Sequence, residues 1–143
     1  MAYTDQSSLA TFVSTDFLIN LTDDTGSGTI NSTVVTYFAD AASALVDSFI
    51  RKKYSTPVST SVASTPLIIK DITNKIAVFS MVSRRQGFDL NIDTNFISFQ
   101  YQEAIRELED IRDGRIELTT SRTPRFTAVK AKEQLFGDER EDV

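Results

Sequence analysis

Apolar residues recur at three- and four-residue steps over much of the first 118 positions, and this spacing is typical of helices that bury one face. The first predicted helix is short and begins at a cap, Thr4 or Asp5, and residues 15–19 form a second short helical segment. A long helix follows from Asn31 and ends at the basic residues 51–53, which suit the negative end of a helix dipole. Its buried face is predicted to consist of Val34, Phe38, Ala41, Ala42, Leu45, Phe49 and Ile50.

Two more long helices are predicted in the second half of the chain. The first has Thr65 as its N-cap and Pro66 as its first residue, and it ends near residues 84–87. Its inner stripe is predicted to be Ile69, Ile72, Ile76 and Phe79. After an aperiodic loop, the second runs over residues 94–113, and Gly114 suits the position that follows a helix. Its inward residues are predicted to be Ile97, Tyr101, Ala104, Ile105, Leu108 and Ile111. The predicted fold class is all-α, a small helical bundle of about three long and one or two short helices.

The periodic pattern ends after Leu118, which predicts a helical domain over residues 1–118 and an extended C-terminal arm over residues 119–143. The charges of this arm are segregated, because residues 119–132 hold four bases and no acid, while residues 133–143 hold five acids and one base. Such a segment buries too little apolar area to order alone, so we expect it to order on a partner. The residues expected to bind that partner are Arg122, Arg125, Phe126, Lys130, Lys132, Leu135 and Phe136.

Composition excludes several kinds of chemistry. The 143 residues include no Cys, no His and no Trp, and the formal net charge is −5. The absence of Cys and His excludes thiol catalysis, histidine-based triads and histidine-ligated zinc. The sequence has no phosphate-binding glycine loop and no nucleophile elbow, and the negative charge disfavours a general basic surface for nucleic acid. We therefore expect no enzyme activity and no cofactor.

One segment imitates a calcium-binding EF-hand loop. The oxygen-bearing side chains at its first, third, fifth and ninth positions are Asp23, Thr25, Ser27 and Asn31. Gly28 falls at the sixth position, where the loop turns, but the twelfth position is Val34 where the motif requires a bidentate Glu. With one carboxylate among these positions, the prediction is a glycine turn that leads into a helix capped by Asn31, without a metal.

Two other features point outward. The basic residues 51–53 and the pair Arg84 and Arg85 lie at predicted helix ends, where they compensate the helix dipole or contact phosphate or an acidic partner. Phe96, Phe99 and Tyr101 open the last helix, and helical geometry does not allow all three to face inward. An exposed aromatic side chain there would indicate an interface.

The N-terminus has no signal-peptide pattern and no apolar run reaches bilayer length, so we expect a protein made in the cytoplasm, without a membrane.

Four segments of the chain carry a family resemblance, namely YTDQSSLATF at 3–12, LTDDTGSGTIN at 21–31, DSFIRKKYSTP at 47–57 and AIRELEDIRDGRIEL at 104–118. In this order they resemble the small helical head–tail connector (adaptor) proteins of Mu-like tailed phages and prophages. The resemblance covers residues 2–118, and residues 119–143 have no counterpart in it. The acidic loop positions of the family are Thr and Ser here, and the Ser/Thr-rich loop at 55–65 is longer.

The resemblance implies a structural role. It implies an adaptor that docks on the portal protein, forms a homo-oligomeric ring of twelve copies and joins the DNA-filled head to a tail-side neck or terminator protein. Genome DNA would pass through the lumen without specific binding, and the protein would reside in the virion neck after assembly in the host cytoplasm. Two alternatives stay open: another neck or tail protein such as a stopper or tail terminator, and a small helical calcium- or nucleic-acid-binding regulator.

Overall fold

The computed structural model describes residues 2–85 and 94–118 of the chain. Within these ranges it contains five α-helices and no strand, namely α1 (Gln6–Val13), α2 (Thr15–Thr22), α3 (Ser32–Ile50), α4 (Leu67–Arg84) and α5 (Thr94–Arg112). Three are long and two are short, which confirms the predicted all-α class. The predicted arm at 119–143 and most of the predicted loop at 88–95 lie outside the described residues.

Capping residues that the sequence predicts determine three of the helix ends. Asp5 caps α1, since its side chain accepts a hydrogen bond from the backbone N–H of Ser8 at 2.8 Å. Asn31 caps α3 in the same way, and its Oδ1 accepts from the backbone N–H groups of the second and third helical residues. Gly114 follows α5 with a φ of +85°, a left-handed conformation that glycine adopts without steric cost. All three ends were predicted, whereas α2 runs three residues further than its predicted span, to Thr22.

The start of α4 differs from the prediction by one residue. Pro66 is the N-cap and Leu67 is the first helical residue, so Thr65 does not cap the helix. The Thr65 hydroxyl instead donates to the carbonyl of Ser61 at 2.8 Å, within the Ser/Thr-rich turn that precedes α4. The backbone N–H of Thr65 also donates within that turn, to the carbonyl of Val62 at 3.2 Å, so the turn rather than the helix positions this residue.

The core lies where α4 packs between α3 and α5, which also contact each other. Helix α4 runs antiparallel to α5, since Lys75 pairs with Glu107 and Phe79 stacks on Tyr101 with ring centroids 4.2 Å apart. The buried apolar residues of α4 and α5 are Ile69, Ile72, Ile76, Ala77, Val78, Met81, Val82, Ile97, Ala104, Leu108 and Ile111. Phe79, Tyr101 and Ile105, which were predicted to face inward, are only half-buried at the edges of this core.

The prediction places the buried face of α3 about one residue away from the observed face. The residues buried there are Val35, Ala39, Ala42, Ser43, Val46 and Ile50. Of the predicted set, Ala42 and Ile50 are buried, Ala41 is exposed, and the four others are half-buried. The helix is apolar on more than one side, so periodicity alone cannot choose between adjacent stripes. By length and composition α3 also satisfies the criteria for crossing a membrane, which the core helix of a water-soluble protein satisfies as well.

Polar contacts fasten the chain to the bundle at two further places. Near the N-terminus, the fully buried Tyr3 donates its hydroxyl to Asp47 of α3 and accepts from the backbone N–H of Val58 at 3.0 Å. At the last described residue, the backbone N–H of Leu118 donates to the hydroxyl of Tyr54 at 2.9 Å. Leu118 is therefore held beside the residues that follow α3.

Candidate interaction surfaces

The loop that imitates a calcium-binding EF-hand folds around the carboxylate of Asp23, its first residue. Asp23 Oδ2 accepts from the backbone N–H of Gly28 at 2.7 Å, and Oδ1 accepts from those of Ser27 at 3.1 Å and Thr25 at 3.3 Å. The Gly28 N–H is the strongest influence in holding the pKa of the Asp23 carboxyl below its ordinary value; partial burial opposes it, and the Ser27 and Thr25 donors assist. Gly28 itself has a φ of +76°, so the turn requires a residue without a side chain.

The remaining ligand-like positions of this loop also have local partners. Asn31 uses its Oδ1 as the cap of α3, and its backbone N–H donates to the hydroxyl of Thr22 at 3.0 Å, which closes the loop. The hydroxyl of Ser27 lies 3.1 Å from Asp23 Oδ1. Among the described residues, no three His, Cys, Asp or Glu side chains form a group suited to a metal ion. Internal hydrogen bonds thus account for the conformation of this loop. That it binds no metal stays a prediction.

The basic pair at the end of α4 binds the end of α2. Arg84 and Arg85 both contact the carboxylate of Asp24, Arg85 at 3.2 Å. Arg85 also donates to the carbonyl oxygen of Asn20 at 2.8 Å, and Arg84 donates to that of Leu21 at 3.3 Å. These carbonyls belong to the last turn of α2 and have no acceptor role left within the helix. The pair therefore fastens α2 and its loop to α4, rather than pointing at an external anion.

The basic end of α3 is engaged in part. Arg51 Nε donates to the carbonyl oxygen of Asp47 at 3.2 Å, within its own helix, and this fits the predicted compensation of the helix end. Lys53 is buried, with its ammonium 5.7 Å from the centroid of the Tyr54 ring. Lys52 is exposed. One side chain of the three therefore lies inside the fold, which reduces the basic surface at this end.

A charged cluster bridges α4 and α5. Lys75 Nζ lies 3.0 Å from Asp71 and 3.8 Å from Glu107. Burial lowers the pKa of Lys75, but the hydrogen bond and charge of Asp71, with the charges of Glu107 and Glu103, outweigh burial and raise it overall. Burial is the main cause that raises the pKa of Glu107, against the opposing pull of Lys75. Lys75 thus links Asp71 of its own helix to Glu107 of α5.

Large aromatic side chains are exposed on two helices. Phe96 and Phe99 on α5 are 57% and 55% exposed, and Tyr37 on α3 is 67% exposed. Tyr101, the third aromatic residue at the start of α5, instead stacks on Phe79. The prediction that not all three aromatics of α5 face inward is confirmed. Tyr37 was missed, although its position between the apolar residues 34, 35, 38 and 39 already placed it on the outer side of α3.

One shallow groove separates α1 from α4. It has a volume of about 530 Å³ and is lined by Ser7, Ser8, Thr11, Phe12, Lys70 and Asn74. The groove therefore offers hydroxyl groups, one amide and one cation to a ligand. The residues predicted to bind a partner between positions 122 and 136 lie outside the described ranges.

Comparison with known proteins identifies the family. No curated protein matches the chain. A family model described as Bacteriophage Mu, Gp36 matches residues 3–135, which is 133 of the 143 positions. The match continues 17 residues beyond Leu118, so most of the predicted arm does have a counterpart in the family, contrary to the expectation from the four segments. The chain belongs to the Bacteriophage Mu Gp36 family and is a phage structural or morphogenesis protein.

Proposed function

We propose that this protein is the head–tail connector, or adaptor, of a tailed phage. In this role it forms a ring of twelve copies that docks on the portal protein and joins the head to a tail-side neck or terminator protein. Genome DNA passes through the lumen without specific binding, and the protein performs no catalysis. Its place is the virion neck, which it reaches after assembly in the host cytoplasm.

The observation that carries this proposal is the family match together with the surface of the bundle. An assembly protein needs a rigid fold and outward side chains that contact other subunits. Here the bundle has a continuous apolar core, while Tyr37, Phe96 and Phe99 remain exposed outside it. The family match also includes Arg122, Arg125, Phe126, Lys130, Lys132 and Leu135, which favours the arm as a working part of the protein.

Electron microscopy of the purified protein, alone and mixed with its portal protein, tests the proposal directly. We expect rings of about twelve copies that cap the portal, since cyclic assemblies of identical chains are a common solution for a channel. A protein that stays monomeric both alone and with the portal would contradict it. Rings that bind only the tail-side protein would favour a stopper or terminator instead.

A charge-reversal variant of the full chain tests the arm. Replacing Arg122, Arg125, Lys130 and Lys132 by Glu should weaken binding to the portal at least about tenfold, because four attractive charges become repulsive. The matched control is Lys52→Glu, which reverses an exposed charge at the end of α3. Equal portal binding by the arm variant and wild type, measured by interferometry, would remove the arm from the proposal.

A further inference from the structure

The outer face of α3 is unusually poor in charge. Tyr37, Asp40, Ala41, Ala44 and Ser48 are all exposed, and their spacing places them along one side of the helix. The opposite side is the one that packs into the core. A surface helix normally presents charged and strongly polar side chains to water, whereas these five residues are one tyrosine, two alanines, one serine and a single carboxylate.

The outer face of α5 has the complementary character. Phe99 protrudes there, with Phe96 one turn before it and Arg106 two turns after it, and all three are exposed. Their steps of three and seven residues place them on one side of the helix. The buried residues Ala104 and Leu108 mark the other side. This face therefore presents two bulky aromatic groups and one exposed guanidinium group, with the half-buried Glu103 between them.

The two faces match in size and in charge. Small side chains at positions 41 and 44 leave room that an aromatic ring can fill, as knobs fill holes between packed helices. Asp40 and Arg106 have opposite charges, and neither forms an ion pair within the part of the chain that the structure describes. A chain that carries both halves of such a match is suited to bind a second copy of itself.

The directions of the faces decide the kind of assembly. Helices α3, α4 and α5 pack on one another, so the outer sides of α3 and α5 point in different directions. A contact between two different faces of identical chains is heterologous, and repeating it gives a closed ring when the rotation per copy closes. A two-fold dimer would instead use one face twice.

We propose that the outer face of α3 binds the outer face of α5 of a neighbouring copy, with Phe99 against Ala41 and Ala44 and with Asp40 paired to Arg106. This inference deepens the proposed ring function by naming the two surfaces that join its subunits. It assigns the exposed aromatic residues to contacts between copies, which leaves the portal and tail-side contacts to other parts of the chain.

Reversing the charges one at a time and then together tests the pairing. Asp40→Arg and Arg106→Asp should each weaken self-association at least about tenfold, because each places like charges opposite one another. The double variant restores an opposite pair in the swapped order, so its self-association should return to within about threefold of wild type. Analytical ultracentrifugation of the full chains gives the dissociation constants, and circular dichroism checks that each variant is folded.

Removing the ring of Phe99 tests the apolar part of the contact. Phe99→Ala should also weaken self-association about tenfold or more, as expected for a central aromatic contact. The matched control is Leu67→Ala, which removes a large side chain that is 81% exposed at the start of α4, outside both faces. This control should assemble like wild type.

The possible outcomes separate this inference from the proposed function. If wild type and all of these variants assemble equally, the two faces are not the interface, although the ring itself stands. If the single charge variants assemble poorly and the double variant does not recover, the pairing of Asp40 with Arg106 is wrong. If wild type forms no oligomer with or without the portal, the proposed ring function fails, and this interface fails with it.

Discussion

The N-terminal region and the three long helices are held in different ways. Residues 2–22 bury Leu9, Leu18 and Leu21, but they are positioned by directional polar contacts to distant parts of the chain. Those contacts are made by Tyr3 to Asp47 and Val58, and by Arg84 and Arg85 to the end of α2. The long helices contribute most of the apolar core that these leucines join, and Lys75 pairs with Glu107 at its edge. Apolar burial stabilises without fixing one orientation, whereas polar contacts select a single docking position.

The largest effect is expected from a cavity in the core of the long helices. Leu108 is fully buried, so Leu108→Ala should lower the free energy of unfolding by about 3 kcal/mol, from lost burial and the space left behind. Urea titration measures this, and protection from amide exchange should fall across all helices together. Leu67→Ala removes the same side chain where it is exposed and should change stability by less than about 0.5 kcal/mol. A loss confined to α5 would contradict a shared core.

A smaller and more local effect is expected from the hydroxyl of Tyr3. Tyr3→Phe leaves the backbone N–H of Val58 and the carboxylate of Asp47 without this partner, which should cost about 1–3 kcal/mol. Amide exchange should accelerate at residues 2–22 and 55–65, while α4 and α5 keep their protection. Tyr37→Phe is the matched control, because that hydroxyl is exposed. Uniform acceleration throughout the chain would show that the N-terminal region does not unfold separately.

The ion pairs of Asp24 should matter less than Tyr3, because they lie near the surface. Asp24→Asn removes the charge that both Arg84 and Arg85 contact, and we expect a loss of about 0.5–1 kcal/mol that shrinks in high salt. The control is Asp16→Asn on the exposed side of α2. Thermal melts at low and high salt compare the two variants, and an effect of Asp24→Asn that salt does not reduce would point to a cause other than charge.

Removing the charge of Glu107, in the ion pair between the long helices, should instead raise the free energy of unfolding. The pKa of Glu107 is raised in the folded state, chiefly by burial, so its ionised form is disfavoured there. The folded state consequently loses stability as pH rises through the unfolded and then the folded pKa of this group. Glu107→Gln should stabilise the protein slightly at pH 7, and the difference should vanish below about pH 4. Melts across this pH range test the sign, and destabilisation at pH 7 would contradict it.

Local signals in the sequence predicted much of this fold. Asp5, Asn31 and Gly114 each mark a helix end through contacts within a few residues, so a short window of sequence contains the cause. In helix α5 the apolar residues recur every three or four positions and charged residues lie between them. Ile97, Ala104 and Leu108 are buried as predicted. The buried face of α3 was wrong because Phe38, Leu45 and Phe49 form a second apolar stripe, which packs half-buried against the edge of the core.

Contacts between distant residues could not be predicted in this way. Arg84 and Arg85 look like any basic helix end, and their partners lie 60 or more residues earlier in the chain. Tyr3 lies in a short polar stretch, and nothing near it indicates that it is completely buried beside α3. For the candidate surfaces, the sequence identified Phe96 and Phe99, and the apolar residues that flank position 37 held an unused signal for Tyr37.

The bond between Leu118 and Tyr54 gives an assembly of this protein a direction. It holds Leu118 at the end of the bundle where α3 finishes. In a ring whose copies associate through α3 and α5, every copy would present this residue toward the same side. The two rims of that ring would then differ, and a neighbour could tell top from bottom before making any other contact.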